Sequence, residues 1–263
     1  MSTYVATALP TTEDSLAHLE REARRFVEVA ARSPLAAHIP TYPAFTVETL
    51  SAHIGKALRI FHTVASSGSY QEDQDVPSGS AVIDWVETGL APLVNVLSEV
   101  DPDRLVAFPH GAGDRPARLV APLLAVEVGV HRWDVESVLG DHAPIPAELA
   151  IAEIDKVFEN FVPRLASSDV APIGGTVELR ATDAEVRWHL SVQEGQLQAG
   201  RLESETESSD VVVSASAQDL ALLVWKRSLP PPRPGVEVSG PLDVLKHLLS
   251  IDYIPDPRTT PAH

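Results

Sequence analysis

Apolar residues recur at helical spacing over the first part of the chain and alternate with polar ones over the last part. Leu16, Leu19, Ala23, Phe26, Val27 and Ala30 predict a helix over 13–31, with Thr11 or Thr12 as N-cap and an end before Pro34. A second helix follows Thr46, its apolar face made by Leu50, Ile54, Ala57, Leu58 and Phe61, with Glu48 in the dipole-favoured first turn. Residues 65–80 hold little to bury and predict a loop, either a solvated connection or a lid beside the second helix. A third helix is expected over 81–98, bent at Pro92, and a fourth over 117–139, bent or restarted at Pro122. A fifth, over 146–165, carries Leu149, Ile151, Ile154, Val157, Phe158 and Phe161.

After Asp169 the period changes from helical to two. Residues 176–182 and 185–192 read as strands joined by a tight Asp183-Ala184 connection, and Gly195 marks the next turn. A strand over 210–216, a helix over 218–226, a strand over 235–239 and a helix over 242–249 complete the pattern. The three prolines Pro230 to Pro232 form a stiff connector. Antiparallel strands with segregated helices make an α+β domain. The expected fold class is therefore α+β in two domains, a helical bundle over 1–168 and an α+β domain over 169–263.

The stretch Glu127-Val128-Gly129-Val130-His131-Arg132-Trp133-Asp134-Val135 interrupts an apolar stripe with chemistry. Glu127 and His131 stand four apart, so on a helix they project from one face about one turn apart. His53 falls inside the apolar stripe of the second helix. If the two helices pack face to face, His53, Glu127 and His131 form a two-histidine, one-carboxylate set of the kind that holds catalytic zinc with one position open. Spacing alone leaves a second reading open, in which each histidine is a core residue with a satisfied hydrogen bond. His110, among glycines, is a weaker ligand candidate, and His189 on a strand reads as structural. Asp134, one turn beyond His131, suits a group that holds a ligand in place. Arg59 and Arg132 are candidate anchors for an acidic substrate.

Charge and cysteine usage then narrow the partners. A formal net charge of −17 and a pI near 4.9 oppose binding to nucleic acid or an anionic membrane. With no cysteine in the chain, disulfides, thiolate ligands and an internal thiol nucleophile are excluded, so any thiol must come from outside. The first ten residues lack the basic region and apolar core of a signal peptide, and a cytoplasmic protein is expected.

Three segments resemble one family. Tyr42-Pro43-Ala44-Phe45-Thr46-Val47-Glu48-Thr49-Leu50-Ser51-Ala52-His53-Ile54-Gly55 is similar to the Pro-x-Trp-Thr-Val-x-x-Leu-x-x-His-Leu-Gly signature of the mycothiol-dependent maleylpyruvate isomerases. Glu127 to Asp134 is similar to their Glu-x-x-x-His-Arg-Trp-Asp signature, and Asp219 to Arg227 resembles their Asp-Leu-x-Leu-x-Leu-Trp-x-Arg segment. Phe45 departs from the usual Trp, and Pro122, Leu123 and Leu124 replace a more polar run. The resemblance implies a DinB-like four-helix bundle followed by a sterol-carrier-like domain. It also implies a divalent metal, usually zinc, on His53, Glu127 and His131, with Trp225 and Arg227 closing the active cleft. The implied activity is isomerisation or thiol conjugation of a small electrophile with mycothiol as cosubstrate, in a monomer or small homo-oligomer. A non-enzymatic ligand-binding or regulatory DinB-like protein is the alternative, and metal-water hydrolysis without a thiol is a further one.

Overall fold

The computed structural model describes residues 11–71, 75–108, 113–165, 175–193, 195–202, 208–228 and 234–252. They form two compact units divided between Pro144 and Ile145. His110 and the prolines 230–232 lie outside the described residues.

The first unit contains α1 (Thr12–Arg32), α2 (Val47–Ser67), α3 (Ala81–Glu99) and α4 (Val120–Glu136). Helix α1 packs along α4 and α2 along α3, while α1 with α3 and α2 with α4 complete the bundle. Leu50, Ile54 and Leu58 of α2 are fully buried, each contributing about 1.5–3 kcal/mol of hydrophobic stabilisation. Helix α4 is buried at every position except Leu123, Glu127 and Trp133. It is the inner helix of the unit, so its polar residues must find partners within the protein.

Local signals start these helices where the sequence places them. Thr11 Oγ1 accepts from Asp14 N at 3.1 Å, and Thr46 and Thr49 exchange side-chain and backbone bonds in a capping box. A 3-10 turn, Ala117–Leu119, precedes α4, so Pro122 lies in the first helical turn, where its missing N–H has no helical acceptor. Pro122 thus sits in the opening turn of α4 and not in its interior. Helix α3 continues through Pro92.

The expected loop over 65–80 is helical as far as Ser67. Gly68, at φ 82°, ends α2, and Arg104 Nη1 donates to the carbonyls of Ala65 and Ser66 at 3.4 and 3.3 Å. At the far end of the loop Gly79 N donates to Glu48 Oε1 at 2.6 Å. Two short strands, β1 (Leu105–Ala107) and β2 (Asp114–Pro116), pair antiparallel. Three residues each are too few to leave an alternating signature.

The second unit begins earlier than the change of period suggests. Its first element is α5 (Ala147–Lys156), continued by a π-helical turn, Val157–Phe161, and a 3-10 turn, Val162–Arg164. The sheet comprises β3 (Thr176–Ala181), β4 (Arg187–Gln193), β5 (Gln196–Arg201), β6 (Val211–Ala215) and β7 (Glu237–Ser239), in the order β5-β4-β3-β6-β7. Helices α6 (Ala217–Val224) and α7 (Leu242–Ser250) complete it. Helix α5 packs on α6. Trp188 Nε1 and Arg201 Nη2 donate to Asp155 at 2.8 and 2.6 Å, and Trp225 Nε1 donates to Glu153 O at 3.0 Å. The expected boundary at 168/169 therefore moves to 144/145, because alternation marks where strands begin and not where a unit begins.

Two further differences concern the sheet. Strand β6 pairs with β3 in parallel, Leu179 opposite Val213, so the sheet is mixed and not antiparallel throughout. Strand β5, antiparallel to β4, was not expected, because Gln196-Leu197-Gln198-Ala199-Gly200-Arg201 has a single large apolar residue.

Candidate metal centre

The α2/α4 contact brings His53, Glu127 and His131 together. His53 Nε2 lies 3.0 Å and His131 Nε2 3.4 Å from Glu127 Oε1, and one donor atom from each residue lies within 4.8 Å of the others. Two donors on a tetrahedral zinc, each about 2.0–2.1 Å away, stand roughly 3.3–3.4 Å apart. The donor set and its spacing fit a divalent cation. Among the described residues this is the one group of three such side chains.

Burial gives the centre a direction. The His131 side chain is 8% exposed, whereas those of His53 and Glu127 are 28% and 23% exposed. The closed side is therefore His131, and an incoming group reaches the donors from the side of His53 and Glu127. Phe45 walls the imidazoles, its ring centroid 5.5 Å from that of His53 and 6.0 Å from that of His131. Tyr42 stands edge-on to Phe45 at 5.3 Å.

Asp134 is fully buried. Its Oδ2 is 3.0 Å from His131 Nδ1, and its Oδ1 accepts from Thr41 Oγ1 at 2.7 Å. Burial draws the His131 pKa down, but hydrogen bonds and charge from Asp134 and Glu127 outweigh it, and the imidazole lies above its ordinary value. Nδ1 faces the Asp134 carboxylate and Nε2 faces Glu127, so a cation among the three residues would meet Nε2 while Nδ1 holds the proton.

Each arginine has partners of its own. Arg59 lies in the α2/α3 seam, its guanidinium 4.1 Å from the Trp85 ring centroid, with donations to Gly55 O and Thr88 Oγ1. Arg132, expected as a possible substrate anchor, is 1% exposed and donates to Glu22 Oε2 at 2.8 Å, to Glu136 Oε2 and to Ala143 O. Five positions from Glu127, it points towards α1 and is closed off from solvent. Arg227 belongs to the second unit, where its Nη1 donates to Trp225 O at 2.9 Å. Trp225 is buried there, edge-on to Phe161. Thr41 was not singled out in the sequence; a lone threonine between Pro40 and Pro43 carries no periodic signal.

The chain matches the mycothiol maleylpyruvate isomerase N-terminal domain over residues 16–136 and the MDMPI C-terminal domain over residues 148–247. The gap between the two matches contains the division at Pro144 and Ile145. A crystal structure of the mycothiol-dependent maleylpyruvate isomerase superposes with a TM-score of 0.60 at 17% identity, covering 88% of this chain and 93% of that one. The crystal structure of a single-residue variant of that enzyme gives a TM-score of 0.58 at 18% identity, with coverages of 88% and 93%. No curated protein sequence matches the chain. Two consecutive domain matches on a shared two-part fold place the chain in the mycothiol-dependent maleylpyruvate isomerase family.

Proposed function

We propose that this protein is a metal-dependent enzyme that uses mycothiol to isomerise or conjugate a small electrophile. The observation that carries the reading is the convergence of His53 Nε2, Glu127 Oε1 and His131 Nε2 on one point, with His53 and Glu127 on the accessible side. His53, Glu127 and His131 hold the cation, zinc by the character of the donors. When bound, the cation supplies positive charge that lowers the pKa of a coordinated thiol from about 8.5, giving thiolate at neutral pH.

The chain's own groups do the remainder. Asp134 holds the proton of His131 on Nδ1 and keeps Nε2 available. Phe45 covers one side of both imidazoles and keeps water from that flank. With no cysteine of its own, the protein offers no competing nucleophilic sulfur. The thiol sulfur adds to an electrophilic carbon of the substrate. Addition breaks the π bond of the substrate's activated C=C and leaves its electron pair on the adjoining carbonyl as an enolate. Rotation about the new single bond and loss of the thiolate re-form the double bond in the other geometry, whereas protonation of the enolate, by the proton the thiol gave up, releases the conjugate.

The test is a screen of electrophiles, maleylpyruvate included, with and without mycothiol on protein of known metal content. Turnover should require both thiol and metal. Calorimetry of mycothiol on the loaded protein should give heat that is lost in Glu127→Ala. Turnover of an ester or amide in thiol-free buffer would replace this reading with metal-water hydrolysis.

A further inference from the structure

The loop between α1 and α2 reaches the centre at two points. Ile39 N donates to Phe45 O at 3.0 Å, Tyr42 N to Ile39 O at 3.1 Å and Phe45 N to Tyr42 O at 3.0 Å, so residues 39–45 close on themselves. Ile39 is fully buried, and Pro40 and Pro43 fix two of the backbone φ angles within the turn. From this turn Phe45 lies against both imidazoles and Thr41 reaches Asp134.

We propose that Thr41 is a positioning residue for the ligand His131, acting through Asp134. The inference rests on the metal reading given above. Asp134 has no exposed surface, and a buried carboxylate must have its lone pairs occupied. One oxygen faces His131 Nδ1 at 3.0 Å and the other takes the Thr41 hydroxyl at 2.7 Å, within the range of a charge-assisted O–H to carboxylate bond.

The direction of the Thr41 proton follows from its neighbour. Ser137 Oγ stands 3.4 Å from Thr41 Oγ1, but it donates to the Asp134 backbone carbonyl at 2.6 Å. Ser137 Oγ is thus left to accept, and of its two acceptors the Thr41 hydroxyl meets the nearer and charged one, the carboxylate at 2.7 Å. The χ2 torsion of an aspartate is broad. Two donors on opposite oxygens fix the carboxylate plane, and the plane fixes the imidazole that donates to it. Thr41 thus sets both the tautomer and the tilt of the most buried ligand, from a loop that contributes no ligand of its own.

The test uses the full chain loaded with cobalt(II), whose visible absorption reports ligand geometry. Affinity is read by competition with a chelator. Thr41→Val should weaken cobalt binding about tenfold, within the range for changes to groups that hold a ligand, and should shift the visible bands. Thr41→Ser, which restores the hydroxyl, should recover both. Wild-type affinity and an unchanged spectrum in Thr41→Val would overturn the inference while leaving the metal reading intact. If wild type binds no cobalt, or His53→Ala and Glu127→Ala bind as wild type does, both fall together. Should Thr41→Val not fold, Thr41→Ala is read by the same competition and spectra: a weakening that Thr41→Ser reverses supports the inference, and wild-type affinity with an unchanged spectrum overturns it.

Discussion

A Cβ on Gly55 would lie 2.3 Å from Cε3 of Trp85, so the indole on α3 rests directly on the backbone of α2. No side chain can occupy position 55 without moving the ring, and the ring also carries the Arg59 guanidinium at 4.1 Å. Gly55→Ala should therefore destabilise the bundle by about 1–3 kcal/mol, the usual penalty for overpacking. Urea denaturation would show it as a lower midpoint at unchanged slope. The same variant should weaken metal binding, because His53 is two residues away on the displaced helix. A melt identical to wild type would mean that the α2/α3 seam is looser than these distances require.

Arg132 should behave as part of the scaffold and not of the active site. Its guanidinium lies between Glu22 and Glu136, both buried, and Arg25 Nε reaches Glu136 at 2.8 Å. Arg132→Ala leaves two carboxylates buried beside a missing partner, and a loss of about 3–5 kcal/mol is expected. Replacing the group by apolar residues, Glu22→Leu with Arg132→Met and Glu136→Leu, should recover most of that loss. Chemical denaturation of the single and triple variants decides between the two roles. A stable Arg132→Ala protein with a raised KM for acidic electrophiles would restore the substrate-anchor reading.

What could be read from the sequence follows from how strongly each signal is repeated. The inward positions of α2 and α4 recur over several turns, so His53, Glu127 and His131 could be set on one face before their distances were known. The capping threonines Thr11 and Thr46 are single residues, but each stands beside a long periodic run that fixes its meaning. Strands β1, β2 and β5 and the contact between Thr41 and Asp134 had no such support. A three-residue strand has no period, and a hydrogen bond between residues 93 positions apart is invisible along the chain. Arg132 misled for a related reason, since adjacency to His131 in sequence puts it on a different face of an inner helix. The position of the unit boundary depended on the packing of α5 against α6, which no local pattern states.

His142 supplies a prediction about pH. Its ring stacks on Trp133 with centroids 3.9 Å apart and planes 22° apart. Burial lowers its pKa from 6.5, outweighing the opposing pull of Glu136. The unfolded chain therefore binds the proton more readily than the folded one between the two values. The stability contributed by neutral His142 is fully present above the unfolded pKa and is lost as pH falls through the folded pKa. A proton NMR titration should place the ring's midpoint below 6.5 in wild type and nearer to it in Trp133→Leu. A midpoint above 6.5 in wild type would show that the nearby carboxylates dominate.

Metal content tests the centre itself. Protein stripped with a chelator and reloaded should hold about one divalent ion per chain, with four-coordinate geometry under zinc or cobalt. Glu127 Oε1 is the donor closest to both imidazoles, at 3.0 and 3.4 Å. Its loss in Glu127→Ala should lower affinity by more than the roughly 10–100-fold that follows loss of an outer-sphere group. Glu127→Gln keeps the shape but removes the charge that offsets the cation, and should bind more weakly than wild type and more tightly than Glu127→Ala. His131→Ala should be the most damaging of the ligand changes to folding as well, because it removes the imidazole that faces the buried Asp134 carboxylate. Elemental analysis paired with thermal melts separates these effects. If all three variants retain one tightly held ion, the cation lies elsewhere, and the convergence of these side chains serves only to pack α2 against α4.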